Sequence, residues 1–534
     1  MSPDPVVVGE EVTVETVARV AREGRAVTLS PAARQRVVKS RERVASVVDS
    51  NEAVYGINTG FGDLVTERIP REDLAELQTN LVRSHAAGTG RPLDREEVRA
   101  MMVSRLHALA LGYSGVREQL VDHLVTMLNE DIHPVVRSRG SLGASGDLAP
   151  LAHLALVLIG EGEATVGDET ERLDGEKALA TANLEPVELA PKEGLALING
   201  TQLSAGLAAL AVVDAQSLLD VADTAGALTT EVAMGSTVPS SERLSEVRPH
   251  PGHVRSASNV RKLTADSEIV ESHRNCDRVQ DAYSLRCLPQ VHGAVRDATD
   301  HLRTGVEVEL NSATDNPLIF DADAVGPQGS QTERAAVLSG GNFHGAPLAH
   351  RLDYAANAVT DLAAISERRI DRLLNPNTQE SHLPPFLATD SGLESGMMIP
   401  QYTAAALLSE ARSVGAVATD NVPVSGNQED HVSMSATAAF SFRGQLDRLR
   451  RVLAIELLCG AEAAEYVDDD LEHGAGTAVA YESVRERVPP LSGDRPLAPA
   501  IDAIDALVDS GDLHSRVQTA IDGGFAASHD PDRT

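Results

Sequence analysis

The chain has 534 residues with 41 Gly, 26 Pro, no Trp and only 3% aromatic residues, so a soluble globular protein of this size must build its core mainly from Leu, Val, Ala and Ile. Its 46 basic and 79 acidic residues give a net charge of -33, which disfavours nonspecific contact with nucleic acid or an anionic membrane. Lysine occurs only at Lys39, Lys177, Lys192 and Lys262, the other 42 basic residues being arginine, and this lysine-poor acidity points to a salt-rich cytoplasm.

Three cysteines, Cys276, Cys287 and Cys459, are too few for a disulfide framework and match no zinc spacing. The N-terminus is acidic and polar-interrupted, unlike a secretory signal, and no 18-residue stretch is free of polar breaks. A cytoplasmic protein with no membrane segment, no nucleic-acid partner and no metal is the expectation.

In chain order, the pattern predicts a short strand at 5–8, a helix over 15–23 and a further helix opening at Ser30-Pro31, where serine can cap and proline fits the first turn. Residues 51–69 are punctuated by glycine and read as an exposed loop. Helical spacing returns over 72–84, 95–111, 116–129 and 151–158, followed by a hydrophilic excursion at 160–191 that resembles a hairpin or small subdomain. Segments 202–231, 273–307, 345–371, 399–419, 430–464 and 475–487 then carry apolar residues at helical spacing, with a short helix beyond 509 and a charged tail. This predicts a mainly α fold: a long-helix bundle and C-terminal region over 201–534, after a smaller mixed N-terminal region over 1–200. Several helices exceed the usual globular length, which favours a bundle core and association through extended faces.

The stretch Gly140-Ser141-Leu142-Gly143-Ala144-Ser145-Gly146-Asp147 carries an unusual chemical option. Gly146, lacking a side chain, can bring its amide nitrogen close to the carbonyl carbon of Ala144. Ring closure and loss of water would convert Ser145 into an electrophilic alkene. Taken alone, the segment reads as an ordinary Gly/Ser turn.

Other segments carry polar groups beside flexible backbone. Tyr55 precedes a glycine-rich run, Tyr55 to Gly62, that matches neither a dinucleotide fingerprint nor a phosphate loop, and it reads as a packed loop tyrosine or as a base over a pocket. His85 closes a helix before Gly88 and alone suits a C-cap, whereas Asn199 in Leu197-Ile198-Asn199-Gly200-Thr201 suits a cap for the next helix or a ligand contact. In Gln280-Asp281-Ala282-Tyr283-Ser284-Leu285-Arg286, Tyr283 and Arg286 share one helical face, placing a phenol beside a guanidinium suited to a carboxylate or to an ion-pair network. Phe343 lies in Gly340-Gly341-Asn342-Phe343-His344-Gly345, and Glu429 in Asn427-Gln428-Glu429-Asp430-His431-Val432-Ser433-Met434, which also fits an acidic helix N-terminus.

Taken together and in this order, the segments YGINTGFG, RSHAAG, GSLGASGDLAPLAH, LINGTQ, QDAYSLRC, GGNFHG and NQEDHVSM resemble the aromatic amino acid ammonia-lyase family, and within it the histidine ammonia-lyases, over roughly residues 10–500. The resemblance implies a 4-methylideneimidazol-5-one group formed autocatalytically from Ala144-Ser145-Gly146, with no external cofactor. It implies release of ammonia from L-histidine to give trans-urocanate, the first step of histidine degradation. It further implies Tyr55 as the β-proton base, Arg286 as the carboxylate anchor, and Asn199, Gln280, Tyr283 and Phe343 around substrate and prosthetic group. His85 and Glu429 match positions that favour histidine, Glu429 by accepting a hydrogen bond from imidazole. A homotetramer with shared sites is implied as well. Tyrosine ammonia-lyase and aminomutase activity remain alternatives, as does a silent helical assembly protein. Ala282 and Asp63 depart from the proline and lysine frequent among relatives.

The acid excess makes one expectation independent of the resemblance. Raising ionic strength from about 0.1 M to about 1 M shortens the screening length from about 10 Å to about 3 Å. The melting temperature is expected to rise over that range in a calorimetric scan, and a fall would contradict the salt-adapted reading.

Overall fold

A computed structural model describes residues 4–50, 54, 56–59, 69–167, 170–274, 279–325, 330–332, 334–419 and 421–527. Among them are twenty α-helices and ten short strands, so the chain is mainly α as its apolar spacing predicts. The chain divides into two compact units, residues 1–213, 302–353 and 416–440 in one and 214–301, 354–415 and 441–534 in the other. The boundaries at 213/214, 301/302, 353/354 and 440/441 fall inside the helices Gln202–Val232, Leu288–Leu310, Ala346–Leu374 and Ser435–Ala464.

The first unit mixes helices with four small sheets. Strand Val6–Val8 pairs in parallel with Val27–Leu29, and Glu163–Val166 and Leu173–Asp174 of the hydrophilic excursion form an antiparallel sheet with Ile132–Pro134. Ser30 accepts a hydrogen bond from the amide of Ala33 and Pro31 fills the first turn of Pro31–Val48, so this helix begins where its cap residues dictate. Helix Arg95–Ala110 is buried continuously from Glu97 to Ala110. Its two fully buried arginines survive because each reaches acceptors: Arg99 donates to the carbonyls of Val20 and Leu128 and to Asp131, and Arg105 donates to Gln202 and the carbonyl of Ala196.

The second unit is almost wholly helical, and its core holds a charge-balanced chain of polar groups. Asp223, His292, Arg369 and Glu456 are each 0% exposed at the side chain and Arg296 is 4% exposed. Arg296 Nη2 donates to Asp223 Oδ2 at 2.6 Å, and His292 Nδ1 donates to Asp223 Oδ1 at 2.8 Å. Arg369 completes the chain, donating to His292 Nε2 at 3.1 Å and to both oxygens of Glu456 at 2.5 and 2.9 Å. Burial pushes the His292 pKa down, in keeping with a neutral ring that donates on one side and accepts on the other.

Helix Gln202–Val232 is long and apolar enough to cross a membrane by length and composition, contrary to the expectation that no segment would be. It nevertheless carries Asp223 and Glu231 at 0% exposure, each with a polar partner, as a protein-core helix can. Two other segments differ from their sequence reading. Segment 273–307 is not one helix: a short helix, Tyr283–Arg286, ends at Cys287, and Leu288–Leu310 begins anew with Pro289 in its first turn. Segment 430–464 becomes helical only at Ser435, because Met434 takes the left-handed conformation, φ 57°. Helices Pro251–Leu263 and Ala498–Asp509 and most of the strands are additions to the sequence reading.

Glu456→Ala is expected to destabilise the protein by about 3–5 kcal/mol, since it leaves the buried Arg369 charge without its carboxylate. Denaturant unfolding measures it; a loss below about 1 kcal/mol, the range of an exposed pair, would contradict the buried-network account.

Candidate active site

Residues 140–147 form a loop between strand Arg137–Arg139 and helix Leu148–Leu158, and its backbone is tied at both ends of the Ala144-Ser145-Gly146 tripeptide. On the upstream side, the amide of Met434 donates to Leu142 O at 2.7 Å, while the amide of Gly345 and Ser433 Oγ donate to Gly143 O at 3.0 and 2.9 Å. On the downstream side, the amide of Asp147 donates to Gly200 O at 2.7 Å, and Gly146 bridges Gly200 as a single parallel pair. Gly146 has φ +74°, and a Cβ there would lie 2.2 Å from Gly200 O. Both the conformation and the space therefore demand glycine at this position.

The side chain of Asp147 is 0% exposed yet accepts from Ser204 N at 2.8 Å, Ser204 Oγ at 3.0 Å and Ser141 Oγ at 2.7 Å. Burial pushes its pKa up, against the downward pull of these donors. The carboxyl thus anchors the loop to the start of helix Gln202–Val232 without facing solvent.

The tripeptide opens onto a cavity of about 830 Å³ whose lining includes His85, Asn199, Phe343 and Glu429 along with Ala144 and Ser145. Ser145 Oγ donates to Glu429 Oε1 at 2.6 Å, and Asn199 Nδ2 donates to Ser145 O at 3.1 Å. Asn199 Oδ1 is buried with no partner among the described residues. Asn199 ends helix Glu193–Ile198, so its amide serves the tripeptide rather than capping the next helix. Glu429 likewise is not part of a helix N-terminus. It closes a tight loop whose Ser425, Gly426 and Asn427 all have positive φ, with Val424 and Glu429 exchanging backbone hydrogen bonds at 3.0 and 3.3 Å. Asn421 secures the following residues, accepting from the amide of Val432 and donating to Asp430 O.

His85 is the last residue of helix Leu74–His85, and its Nδ1 donates to Leu81 O at 2.8 Å. The carbonyl can only accept, so that bond places a hydrogen on Nδ1 and turns Nε2 away from it. Phe343 is carried by the turn before Ala346–Leu374, the same turn that supplies the Gly345 amide. Tyr55 lies outside the described residues, as does Asp63. Gly56, next to Tyr55, is so close to the cavity-wall residue Leu195 that a Cβ would meet it at 2.7 Å.

Gln280, Tyr283 and Arg286 are not among the cavity's lining residues. They belong to the second unit, where Tyr283 is 74% exposed and Arg286 donates to Gln280 Oε1. Sequence reasoning assigned no role to several residues that the fold brings to this site. His344 and His431 line the cavity with parallel rings 5.8 Å apart, and Leu81, Leu148 and Leu195 supply apolar walls. The two histidines stand within quoted motifs, whereas the leucines carry only the ordinary signal of a helix's apolar face. Among the described residues no group of three or more His, Cys, Asp or Glu is arranged to hold a metal ion.

Residues 12–486 match the aromatic amino acid lyase family. A probable histidine ammonia-lyase of Halobacterium salinarum is 59% identical over 527 residues, spanning 98% of this chain and 100% of the other. Among solved structures, a tyrosine aminomutase from Streptomyces globisporus is similar with a TM-score of 0.90 and 37% identity, over 98% of this chain and 100% of that one. A histidine ammonia-lyase from Trypanosoma cruzi gives a TM-score of 0.88 and 36% identity, over 99% of each chain.

Gly146→Ala is expected to cost more than about 2 kcal/mol, because a left-handed φ and a backbone collision act together. Unchanged denaturant unfolding in this variant would contradict the close approach to Gly200.

Proposed function

The chain belongs to the aromatic amino acid lyase family, and from that membership we propose that it releases ammonia from L-histidine to give trans-urocanate, acting as a carbon–nitrogen lyase at the cavity around Ser145. The observation that carries the substrate is the carboxylate of Glu429 at the tripeptide, 2.6 Å from Ser145 Oγ, in a cavity also lined by His85. An imidazole ring carries an N–H that a carboxylate accepts, whereas a phenyl ring offers no such donor.

The β hydrogen of histidine is weakly acidic and its amine is a poor leaving group, so a base alone does not suffice. The tripeptide fits the prosthetic group the family implies: Gly146 is compressed against Gly200, and Asn199 presents its amide N–H to the Ser145 carbonyl, its buried Oδ1 having no partner among the described residues. Closure would join Gly146 N to the carbonyl carbon of Ala144, whose oxygen would leave as water with the amide hydrogens of Gly146 and Ser145, and Ser145 would lose its α hydrogen and its Oγ hydroxyl as a second water. The resulting 4-methylideneimidazol-5-one supplies an electrophilic carbon that proteins otherwise lack.

The chain's own residues do the rest. Asn199 polarises the carbonyl of Ser145 through its 3.1 Å hydrogen bond. Leu81, Leu148 and Leu195 exclude water from one wall of the cavity. His85 and Glu429 orient the imidazole, Phe343 packs on it, and Tyr55 removes the β proton. Arg286, with Gln280 and Tyr283, anchors the carboxylate. As the family implies, these three complete the site of another copy in a homotetramer, a reading that the 74% exposure of Tyr283 supports. The acidic, lysine-poor composition and the similarity to a protein of Halobacterium salinarum support a salt-rich cytoplasm as the working environment.

A second reading, isomerisation to a β-amino acid, has the TM-score of 0.90 to a tyrosine aminomutase in its favour. Incubation with L-histidine at high salt is expected to produce an ultraviolet-absorbing product and one equivalent of ammonia, and Ser145→Ala should abolish both. A β-amino acid without free ammonia would favour the second reading, and full activity of Ser145→Ala would overturn the electrophile.

A further inference from the structure

Beneath the tripeptide, buried hydroxyls link its two anchored ends. Ser204 and Ser435 are 0% exposed and Ser433 is 2% exposed, and their side chains stand at the starts of Gln202–Val232 and Ser435–Ala464 or just before them. Ser204 Oγ has a single hydrogen, and that hydrogen is directed to Asp147 Oδ1 at 3.0 Å. The 2.8 Å contact between Ser204 Oγ and Ser435 Oγ is therefore a bond in which Ser435 donates. Ser433 Oγ in turn accepts from the amide of Ser435 at 3.3 Å and donates to Gly143 O at 2.9 Å. One continuous path thus runs from Gly143, upstream of the tripeptide, through Ser433, Ser435 and Ser204 to Asp147, downstream of it.

The packing leaves this path little slack. A Cβ on Gly143 would lie 2.2 Å from Ser433 Oγ and 2.5 Å from Ser435 Oγ, and one on Gly345 would lie 2.2 Å from Ser435 Oγ. Two glycines are thus pressed onto the hydroxyls. The donors diverge at Ser435: its Oγ and that of Ser204 point toward the Asp147 carboxyl, while its amide and Ser433 Oγ point toward Gly143 O, so Ser435 ties the two ends together.

We infer that Ser204 and Ser435, with Ser433, are positioning residues for cyclisation: they hold Gly143 and Asp147 at the separation that keeps Gly146 N against the carbonyl carbon of Ala144. The effect is on the closing geometry, since none of the three hydroxyls is needed in the balance of the reaction, in which both waters come from Ala144 O and Ser145 Oγ. This rests on the proposed self-cyclisation of the tripeptide.

The test follows intact mass during cell-free synthesis at high salt, where closure appears as a loss of two waters, about 36 Da. Ser204→Ala and Ser435→Ala are each expected to slow the appearance of the lighter chain about fivefold to tenfold, the effect of one lost hydrogen bond in the closing geometry. The double variant is expected to be no slower than Ser204→Ala, because Ser435 acts through Ser204. Ser104→Ala, which removes a buried hydroxyl donating within its own helix to Ala100 O, controls for general loosening and should close at the unsubstituted rate. Far-ultraviolet circular dichroism of each chain reports folding separately. Unaltered closure in Ser204→Ala and Ser435→Ala, slowing equal to that of Ser104→Ala, or additive slowing in the double variant would overturn the inference. If the unsubstituted chain itself stays at full mass, the cyclisation reading fails and takes this inference with it.

Discussion

The close approach of Gly146 to Gly200 is the constraint on which the site depends. Two backbones meet there at a distance no Cβ would permit, and the Asp147 amide locks the contact with a 2.7 Å hydrogen bond. Because Gly200 follows Asn199, the same contact brings the asparagine amide to the Ser145 carbonyl. The loop that presents Ser145 and the helix end that presents Asn199 are thus aligned by one backbone contact. Glu429 arrives on a third segment, whose three consecutive left-handed residues aim it at Ser145 Oγ. Strain of this kind persists only where surrounding bonds over-determine it, and here the Asn421 and Val424 bonds do so.

The charge distribution separates two tasks. The net charge of -33 is a property of composition and acts through solvent. The buried groups of the second unit, by contrast, pair Asp223 with Arg296 and Glu456 with Arg369, so that burial costs are offset within the network. Lysine illustrates the same separation: of four in the chain, Lys192 is fully buried against Asp315 and contributes nothing to the surface.

Much of this was legible from the sequence because local physics and the fold agree. Ser30-Pro31 opens a helix because serine caps and proline suits the first turn, and residues 202–231 read as a helix because their apolar residues recur at helical spacing. The helix break at Cys287 was missed because Tyr283 to Arg286 and the residues after Pro289 each keep helical spacing, so periodicity alone bridges them. At the site, Ala144, Ser145, His85, Asn199, Phe343 and Glu429, which the sequence reading drew from separate motifs, line one cavity. Ser204 and Ser435 gave no such signal. A serine at a helix start reads as a cap, and only three-dimensional proximity across 231 residues joins the two hydroxyls. Gln280, Tyr283 and Arg286 form a local group whose connection to a substrate rests on the family, not on the cavity.

The account turns on whether the backbone of Ala144-Ser145-Gly146 becomes the electrophile, and the mass of the purified chain, mapped by fragmentation, addresses that most directly. A deficit of about 36 Da confined to the peptide containing Ser145 is the predicted result. A full-mass chain that still releases ammonia from L-histidine would contradict it, because the elimination would then proceed without the group proposed to form from this tripeptide.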